Sequence, residues 1–273
     1  MERATDSRVK RALDRVPTTV DKDGRGAYRR HIVEGILWVI GVIMLATLGF
    51  LVHAHPAPWP FELAFTRAIQ GPHTVPCIYS RQPHSLANTW IDVLSSLNDP
   101  FPAIVVPALW VGGMLLFRWF RQAIFLGAAV FSAATLFAVL TILVGRPRPS
   151  LQYGICVHDL IPIHSFPSGH VIHDMVYYGF LLYLSFTKPV REWRYHWVLL
   201  PLQVFAVLDL LIIGYARLFA GEHWLLDVTG GYLAGALWLF LFIFLYRWAG
   251  NLLEGHHAKK AAGKRAVATG TKV

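Results

Sequence analysis

The sequence predicts an all-α fold, a polytopic membrane helix bundle with six transmembrane helices and cytoplasmic N- and C-termini. Of its 273 residues, 55% are hydrophobic and 15% are charged, and the mean hydropathy is +0.46. A soluble domain usually carries about 25% charged residues, so this chain has too little polar surface for a water-exposed globule. Six windows also approach the roughly 20 mostly apolar residues that a helix needs to cross the hydrocarbon core.

The six predicted spans differ in their polar content. The first three contain no charged residue, the fourth opens with His173 and Asp174, and the last two contain a single acid, Asp209. A stretch of about 30 residues rich in Arg and Asp precedes the first span, and no small-residue cleavage site follows it. We therefore interpret it as a retained helix rather than a signal peptide. The spans cover approximately residues 36–52, 101–117, 123–144, 171–187, 197–216 and 228–246.

The distribution of basic residues predicts the orientation of these spans. If the spans alternate from a cytoplasmic N-terminus, the inner segments contain 20 of the 25 Lys and Arg residues. This bias follows the positive-inside rule. The basic residues left on the outer side are all arginines, and three of them lie in polar clusters described below: Arg67, Arg81, Arg146, Arg148 and Arg217.

Two polar tails flank the membrane region. Residues 1–33 and 251–273 lack apolar periodicity and are predicted to be disordered cytoplasmic tails around a six-helix domain at 34–250. The net charge of +9 is concentrated in these tails, so attraction to anionic headgroups explains it better than nucleic-acid binding, which we do not expect. Residues 53–100 form the longest outer segment, in which a short amphipathic helix is predicted near residues 61–69.

Three polar clusters interrupt the apolar chain, and the predicted topology places all three on one membrane face. Their sequences are Gly-Arg-Pro-Arg-Pro at 145–149, Ser-Phe-Pro-Ser-Gly-His at 165–170, and a stretch from Arg217 to Asp227. Arginine presents a fork of donors that matches phosphate oxygens and stays charged at any working pH. The clusters therefore predict a phosphate site at the membrane surface.

The second and third clusters each have a specific chemical interpretation. Pro167, Ser168 and Gly169 precede an apolar helical run, so free backbone N–H groups at a helix start would point at an anion, beside His170. On a helix, His223 and Asp227 share one face, and a carboxylate bonded to one ring nitrogen leaves the other free to attack. Taken singly, these clusters could also be a capped helix start, a surface pair and a charged loop.

Together, the clusters resemble the signature of the type 2 phosphatidic acid phosphatase superfamily, the lipid phosphate phosphatases: Lys-x6-Arg-Pro, Pro-Ser-Gly-His and Ser-Arg-x5-His-x3-Asp. This resemblance implies that Arg148 and Arg217 bind phosphate with help from Ser168 and Gly169. It also implies that His223 is the nucleophile, that Asp227 orients it, and that His170 is the general acid.

Two positions depart from the signature, because Thr141 stands where the family has lysine and Ala216 where it has serine. We expect Arg146 to replace the missing cation in the phosphate pocket.

The predicted protein is an integral enzyme of the plasma membrane whose site faces the extracytoplasmic side. We expect it to hydrolyse a lipid phosphate through a phosphohistidine, without metal or cofactor. The candidate substrates are a polyprenyl phosphate or diphosphate, phosphatidic acid and phosphatidylglycerol phosphate. A lipid phosphotransferase and a non-catalytic transporter or lipid-binding bundle stay open as alternatives, and the sequence does not indicate the oligomeric state. The only two cysteines, Cys77 and Cys156, fall on the outer side, where we expect a disulfide, with two free thiols as the alternative.

Overall fold

The computed structural model describes residues 25–71, 78, 89, 93, 96–97, 100–158 and 160–268, with side chains omitted at 25–28, 100 and 254–268. Within this part of the chain the regular elements are helices, apart from an isolated parallel bridge between Ile78 and Val157. The predicted all-α class is therefore confirmed for the described residues.

Seven α-helices have defined bounds in the described residues: α1 Arg25–Ala54, α2 Pro60–Gln70, α3 Pro100–Leu116, α4 Phe120–Val144, α5 Gly169–Ser185, α6 Leu200–Phe219 and α7 Leu225–Ala268. Three short 3-10 turns lie between them, at Leu151–Tyr153, Val190–Glu192 and His196–Leu199. Helix α2 confirms the predicted helix in the outer segment.

Four helical segments are long and apolar enough to cross a membrane: Arg29–Ala54, Phe120–Val144, His196–Phe219 and Leu225–Leu253. The segment Phe101–Leu116 is apolar but shorter, and α5 has 17 residues. Each predicted span thus coincides with a helix, but the count of six spans and the cytoplasmic termini stay predictions.

The chain divides into two compact units, residues 1–40 and 41–273. The described part of the first unit is the beginning of α1, where apolar side chains such as Ile36 and Leu37 are exposed. Exposed apolar side chains on a membrane helix are those that lipid can cover.

The core of the second unit is built around α5, which packs against α4, α6 and α7. The closest approach is to α7, where Gly231 and Gly235 are spaced four residues apart. A Cβ atom on Gly231 would lie 2.9 Å from the carbonyl oxygen of Ser168, and one on Gly235 would lie 2.6 Å from Met175 Cβ. Small residues at this spacing allow two membrane helices to approach closely. The start of α5 is therefore held against the first turns of α7.

Helix α2 is amphipathic in an unusual sense, because its buried stripe is polar. Glu62, Thr66 and Gln70 are buried, while Phe61 and Phe65 are exposed. Gln70 donates from Nε2 to the carbonyl oxygens of Cys156 and Phe219 at 2.7 and 2.9 Å. This polar stripe fastens the outer segment to the loops that carry the candidate site.

The two predicted disordered tails are partly helical. Helix α1 begins at Arg25, within the predicted tail 1–33, and α7 continues to Ala268, through most of the predicted tail 251–273. In the second stretch the physical reason is composition, since it is rich in Ala and Lys, which have high helix propensity. The rest of the two tails, residues 1–24 and 269–273, lies outside the described residues.

Replacing Gly231 by Ala should destabilise the second unit and lower turnover, because the added methyl group meets the backbone of Ser168. Overpacking of this kind typically costs about 1–3 kcal/mol. Thermal unfolding in detergent and a phosphate-release assay measure both effects. Gly113→Ala in α3 is the matched control, since a Cβ atom there has no neighbour within 4 Å. A Gly231→Ala protein as stable as the control would contradict the close approach of α5 and α7.

Candidate active site

The loop after α4, the start of α5 and the turn between α6 and α7 meet in one place. Arg148 Nη1 lies 3.5 Å from His223 Nε2 and donates to the carbonyl oxygen of Glu222 at 3.0 Å. Arg217 Nη1 donates to Glu222 Oε2 at 2.8 Å. The metal-ligating atoms of His170, Glu222 and His223 all lie within 4.8 Å of one another. Two arginines and two histidines from three separate segments therefore share one small volume.

The buried His223 ring is held through one nitrogen. Its Nδ1 lies 2.8 Å from the carbonyl oxygen of Ser165, so Nδ1 carries the hydrogen and donates it. The lone pair of Nε2 consequently faces Arg148. Burial lowers the pKa of His223 well below its ordinary value, and the charges of Arg148 and Arg217 and the neighbouring His170 lower it further, against the effect of the Ser165 carbonyl. The ring is therefore neutral and nucleophilic at neutral pH.

Asp227 orients His223 by a route other than the predicted direct hydrogen bond. Its Oδ2 is 3.9 Å from His223 Nδ1, too far for a hydrogen bond. The same oxygen accepts the hydroxyl of Ser165 in a very short hydrogen bond and the backbone N–H of Trp224 at 2.8 Å. Asp227 occupies the third position of α7, from which an acid reaches back to the N–H of the residue before the helix. It thus holds Ser165, and the Ser165 carbonyl holds His223.

Arg146 has partners other than the expected phosphate pocket. Its guanidinium is fully buried, with Nη1 at 2.7 Å from Asp227 Oδ1 and Nη2 at 2.6 Å from Glu62 Oε2. The indole rings of Trp59 and Trp224 lie near it, at 5.8 and 6.0 Å from the guanidinium carbon. Burial alone would lower the pKa of Arg146, but the two carboxylates raise it above its ordinary value. With both ends paired, Arg146 supports Asp227 instead of contacting phosphate.

Glu62 links the outer helix α2 to the start of α7. In addition to Arg146, its carboxylate accepts the backbone N–H of Trp59 and that of Leu226, each at 3.0 Å. One buried carboxylate therefore caps the first turns of two helices and neutralises an arginine. The sequence analysis missed Glu62; the signal was an acid at the third helical position after Trp59-Pro60, which is typical of a capping acid.

The N-terminus of α5 has the features expected of an anion site. Ser168 is the residue before the helix, and it is buried. Its Oγ has no hydrogen-bond partner within the part of the chain that the structure describes. Buried hydroxyl groups are normally hydrogen-bonded, so this oxygen is available to a ligand. Gly169 packs tightly here, since a Cβ atom would lie 3.0–3.2 Å from the ring of Phe137.

The two positions that depart from the family signature do not supply charge. Thr141 Oγ1 donates to the carbonyl oxygen of Phe166 at 3.0 Å, so position 141 faces the loop that precedes α5. Ala216 is buried and packs beside Ala220 and Phe219. The arginines that lie beside His223 and Glu222 in the described residues are therefore Arg148 and Arg217.

Glu222 takes the place of a counter-ion between these two arginines. Its Oε2 lies 2.8 Å from Arg217 and 4.0 Å from Arg148, and its Oε1 lies 3.5 Å from His158 Nδ1. Burial lowers the pKa of Arg148, and the carboxylate of Glu222 opposes that effect. A phosphate group arriving here would compete with Glu222 for both guanidinium groups.

The spacing of His170, Glu222 and His223 would also suit a cation. We assign no metal to them, because a dication would have to displace Arg217 from Glu222 and lie beside two guanidinium groups.

A disulfide lies next to the site. Cys156 is disulfide-bonded, and the chain's other cysteine, Cys77, lies outside the described residues. The bridge between Ile78 and Val157 joins the neighbours of both cysteines, as the predicted bond requires. Gly221 packs against the Cys156 carbonyl with a positive φ of 61°, which a residue with a side chain would adopt only with strain.

Residues 122–251, which contain every predicted site residue, match the family model described as the PAP2 superfamily. This part of the chain is therefore similar to the PAP2 superfamily. The match confirms the predicted resemblance to a family whose members are phosphatases.

Individual relatives agree with this assignment. The chain is 27% identical over 143 residues to the undecaprenyl-diphosphatase BcrC of Bacillus subtilis (strain 168), a match covering 51% of this chain and 65% of the relative. The fold resembles that of the transmembrane PAP2-type phosphatidylglycerolphosphate phosphatase of Bacillus subtilis, with a TM-score of 0.60 and 19% identity, covering 76% of this chain and 94% of that one. Aquifex aeolicus LpxE, with a TM-score of 0.46 and 22% identity over 68% of this chain and 96% of that one, is too distant to bear on the fold.

Arg146→Lys should lower kcat by at least about tenfold, equivalent to roughly 1.4 kcal/mol, while KM and inhibition by inorganic phosphate stay unchanged. The reason is that a single ammonium group cannot bridge Glu62 and Asp227, so Asp227 loses its position. Steady-state kinetics with phosphate as inhibitor measure the effect. Arg67→Lys, which alters an exposed arginine that donates to the Tyr153 carbonyl, is the control. A rise in KM and in the phosphate inhibition constant at constant kcat would restore the original expectation that Arg146 contacts phosphate.

The acid limb of the kcat/KM profile should lie below pH 6.5, because the lowered pKa of His223 keeps its neutral, nucleophilic form populated there. Arg148→Gln removes a positive charge that lowers this pKa, so the pKa should rise and the limb should move to higher pH. The substrate's own ionisation is common to both enzymes and cancels in the comparison. A limb that stays in place, or moves to lower pH, would mean that His223 does not set it.

Proposed function

We propose that this protein is an integral membrane phosphatase that hydrolyses a lipid phosphate through a phosphohistidine on His223. The observation that supports it best is the state of the His223 ring. Nδ1 is engaged by the Ser165 carbonyl, while Nε2 faces Arg148 with its lone pair available. A neutral imidazole held this way, beside two guanidinium groups, is suited to attack an anionic phosphorus centre.

In the first step, His223 Nε2 attacks phosphorus in line with the departing lipid oxygen. Arg148 and Arg217 exchange part of their contact with Glu222 for phosphate oxygens and stabilise the charge that develops on the transferring group. Ser168 Oγ and the first N–H groups of α5 bind the remaining oxygens. His170 protonates the departing oxygen, so the products are a free lipid alcohol, or a lipid monophosphate from a diphosphate, and phosphohistidine.

In the second step, water attacks the phosphohistidine while His170, now neutral, accepts a proton from it. Phosphate leaves and His223 returns to its neutral form, with Nδ1 still bonded to the Ser165 carbonyl. Asp227 contacts no reacting atom in this scheme. It positions the nucleophile through Ser165 and is itself positioned by Arg146.

The substrate that we propose first is a polyprenyl diphosphate, because the sequence relative is an undecaprenyl-diphosphatase. Phosphatidylglycerol phosphate and phosphatidic acid are the alternatives for the same pocket. The site would face the extracytoplasmic side of the plasma membrane, since the basic residues outside the site lie mainly in the segments assigned to the inner face. A lipid substrate would keep its chains in the bilayer and present its headgroup to the loops.

Purified protein mixed with radiolabelled substrate and quenched within one turnover should carry phosphate on His223, in an acid-labile, base-stable bond. His223→Ala should remove both the label and turnover, because no other group replaces the nucleophile. Asp227→Asn should retain a low residual activity, since it disturbs only the orientation of His223. Loss of an orienting carboxylate typically lowers the rate by about 10⁴. His164→Ala is the matched control, as His164 is exposed and near the site in sequence.

The same experiment separates the rival functions. Wild-type turnover in His223→Ala would contradict the assignment. Label that leaves only when an alcohol acceptor is added would identify a phosphotransferase, and absence of turnover on every lipid phosphate would favour a transporter or binding protein. The assay contains excess EDTA, because the arginines already supply the positive field. Complete loss of activity that Mg²⁺ or Zn²⁺ restores would instead assign His170, Glu222 and His223 to a metal.

A further inference from the structure

Polar side chains continue along α5 beyond His170, although the proposed reaction uses His170 alone. His173, Asp174, Tyr177 and Tyr178 follow it at intervals of three, one, three and one residues. This spacing places them along one side of the helix. An ionisable residue inside a membrane helix is costly and usually functional, so the stripe needs a physical explanation.

The stripe contains a buried pair of carboxyl groups. Asp174 on α5 and Asp209 on α6 are both buried, and their carboxyl groups lie close enough to interact. Asp209 Oδ2 is buried without a hydrogen-bond partner in the described residues, a position that a charged oxygen would occupy only at high cost. Asp209 is therefore the neutral member of the pair.

Asp174 also holds His173. The Nδ1 atom of His173 lies 3.2 Å from Asp174 Oδ1, and its ring lies beside Tyr177 with ring centroids 5.5 Å apart. The Nε2 atom of His173 is buried and has no hydrogen-bond partner among the described residues. Asp174 thus fixes Nδ1–H and leaves Nε2 as the polar atom with which His173 can exchange a proton.

His170 lies where it cannot easily hold a proton in the free enzyme. Burial lowers the pKa of His170 most, and the charges of Arg217 and Arg148 and the neighbouring His173 lower it further. A substrate phosphate between the two arginines would offset the contribution of the arginines. His170 must then gain a proton before it can protonate the leaving oxygen, and His173 lies one turn away on the same side of α5.

We propose that His173, held by Asp174 and Asp209, relays the proton to and from His170. This inference rests on the proposed function of His170 as general acid. Once phosphate is bound, the His173 imidazolium passes a proton from Nε2 to His170 through one water. His170 gives this proton to the leaving oxygen as the phosphorus–oxygen bond breaks. In the second step His170 takes a proton from the attacking water and returns it to His173. The relay therefore ends each turnover in the state in which it began.

Asp174 holds His173 through Nδ1, and the neutral Asp209 lies beside Asp174 without adding a second charge. The other titratable groups that face the pair are the phenols of Tyr177 and Tyr178 on α5 and of Tyr232 on α7. Tyr232 donates to the Leu210 carbonyl at 2.8 Å and accepts the N–H of Gly214 at 3.1 Å, so it is committed to joining α6 and α7.

The test compares two substrates that differ in their need for a protonated leaving group. A short-chain alkyl phosphate releases an alcohol and requires general-acid catalysis, which typically contributes about 10²–10⁴ to the rate. p-Nitrophenyl phosphate releases a stable phenolate and needs little general-acid catalysis. In His173→Gln and Asp174→Asn, kcat/KM for the alkyl phosphate should fall at least about tenfold, while that for p-nitrophenyl phosphate should change by less than about threefold.

Ser185→Ala is the matched control, because it removes the side-chain bond from Gln203 Nε2 to Ser185 Oγ at the other end of the same helix pair. It should leave the ratio of the two substrates unchanged. An equal loss on both substrates in His173→Gln and Asp174→Asn would overturn the relay in favour of a structural role, and no loss on either would overturn it outright. Failure of the wild-type protein to release phosphate from any lipid phosphate would instead overturn the proposed function on which the relay rests.

Discussion

The ion pairs of Arg146 are the interaction on which the rest of the site depends. Its guanidinium is fully buried between Glu62 and Asp227, which come from the outer helix α2 and the first turn of α7. A buried pair of this kind contributes little net stability compared with apolar packing, but removal of one partner leaves an uncompensated charge and typically costs about 3–5 kcal/mol. Loss of any one of the three groups therefore destabilises the other two. Together their ion pairs fix the start of α7 relative to α2.

A series of single hydrogen bonds connects Arg146 to His223, the proposed nucleophile. Arg146 fixes one oxygen of Asp227, the other oxygen fixes the hydroxyl of Ser165, and the carbonyl of Ser165 fixes Nδ1 of His223. Each link has one donor and one acceptor, so the tautomer of His223 follows from the chain of partners. The His223 ring therefore makes no direct hydrogen bond to the Asp227 carboxylate, which suits the proposed nucleophile, a ring that has to stay neutral beside Arg148.

The sequence was sufficient for the composition of the site but not for its connections. The convergence of Arg148, His170, Arg217 and His223 follows from helix order and from motif spacing, which are local properties of the chain. The role of Arg146 could not be predicted in the same way. Its direction depends on Glu62, which lies 84 residues earlier in the chain and was not recognised as a partner. The four-residue spacing of His223 and Asp227 was also misleading, because His223 precedes α7 and Asp227 belongs to its first turn.

The polar groups around His170 divide by charge. Toward the loops it faces Arg148 and Arg217, which suit an anionic substrate but oppose a proton on the ring. Toward the centre of α5 lie His173 and the carboxyl pair of Asp174 and Asp209, which favour a proton nearby. A general acid has to be neutral in one step and protonated in the next. Because His170 lies between cationic and acidic groups, binding of phosphate can change its protonation state. The apolar helices around the stripe strengthen both effects, because charges interact more strongly where water is excluded.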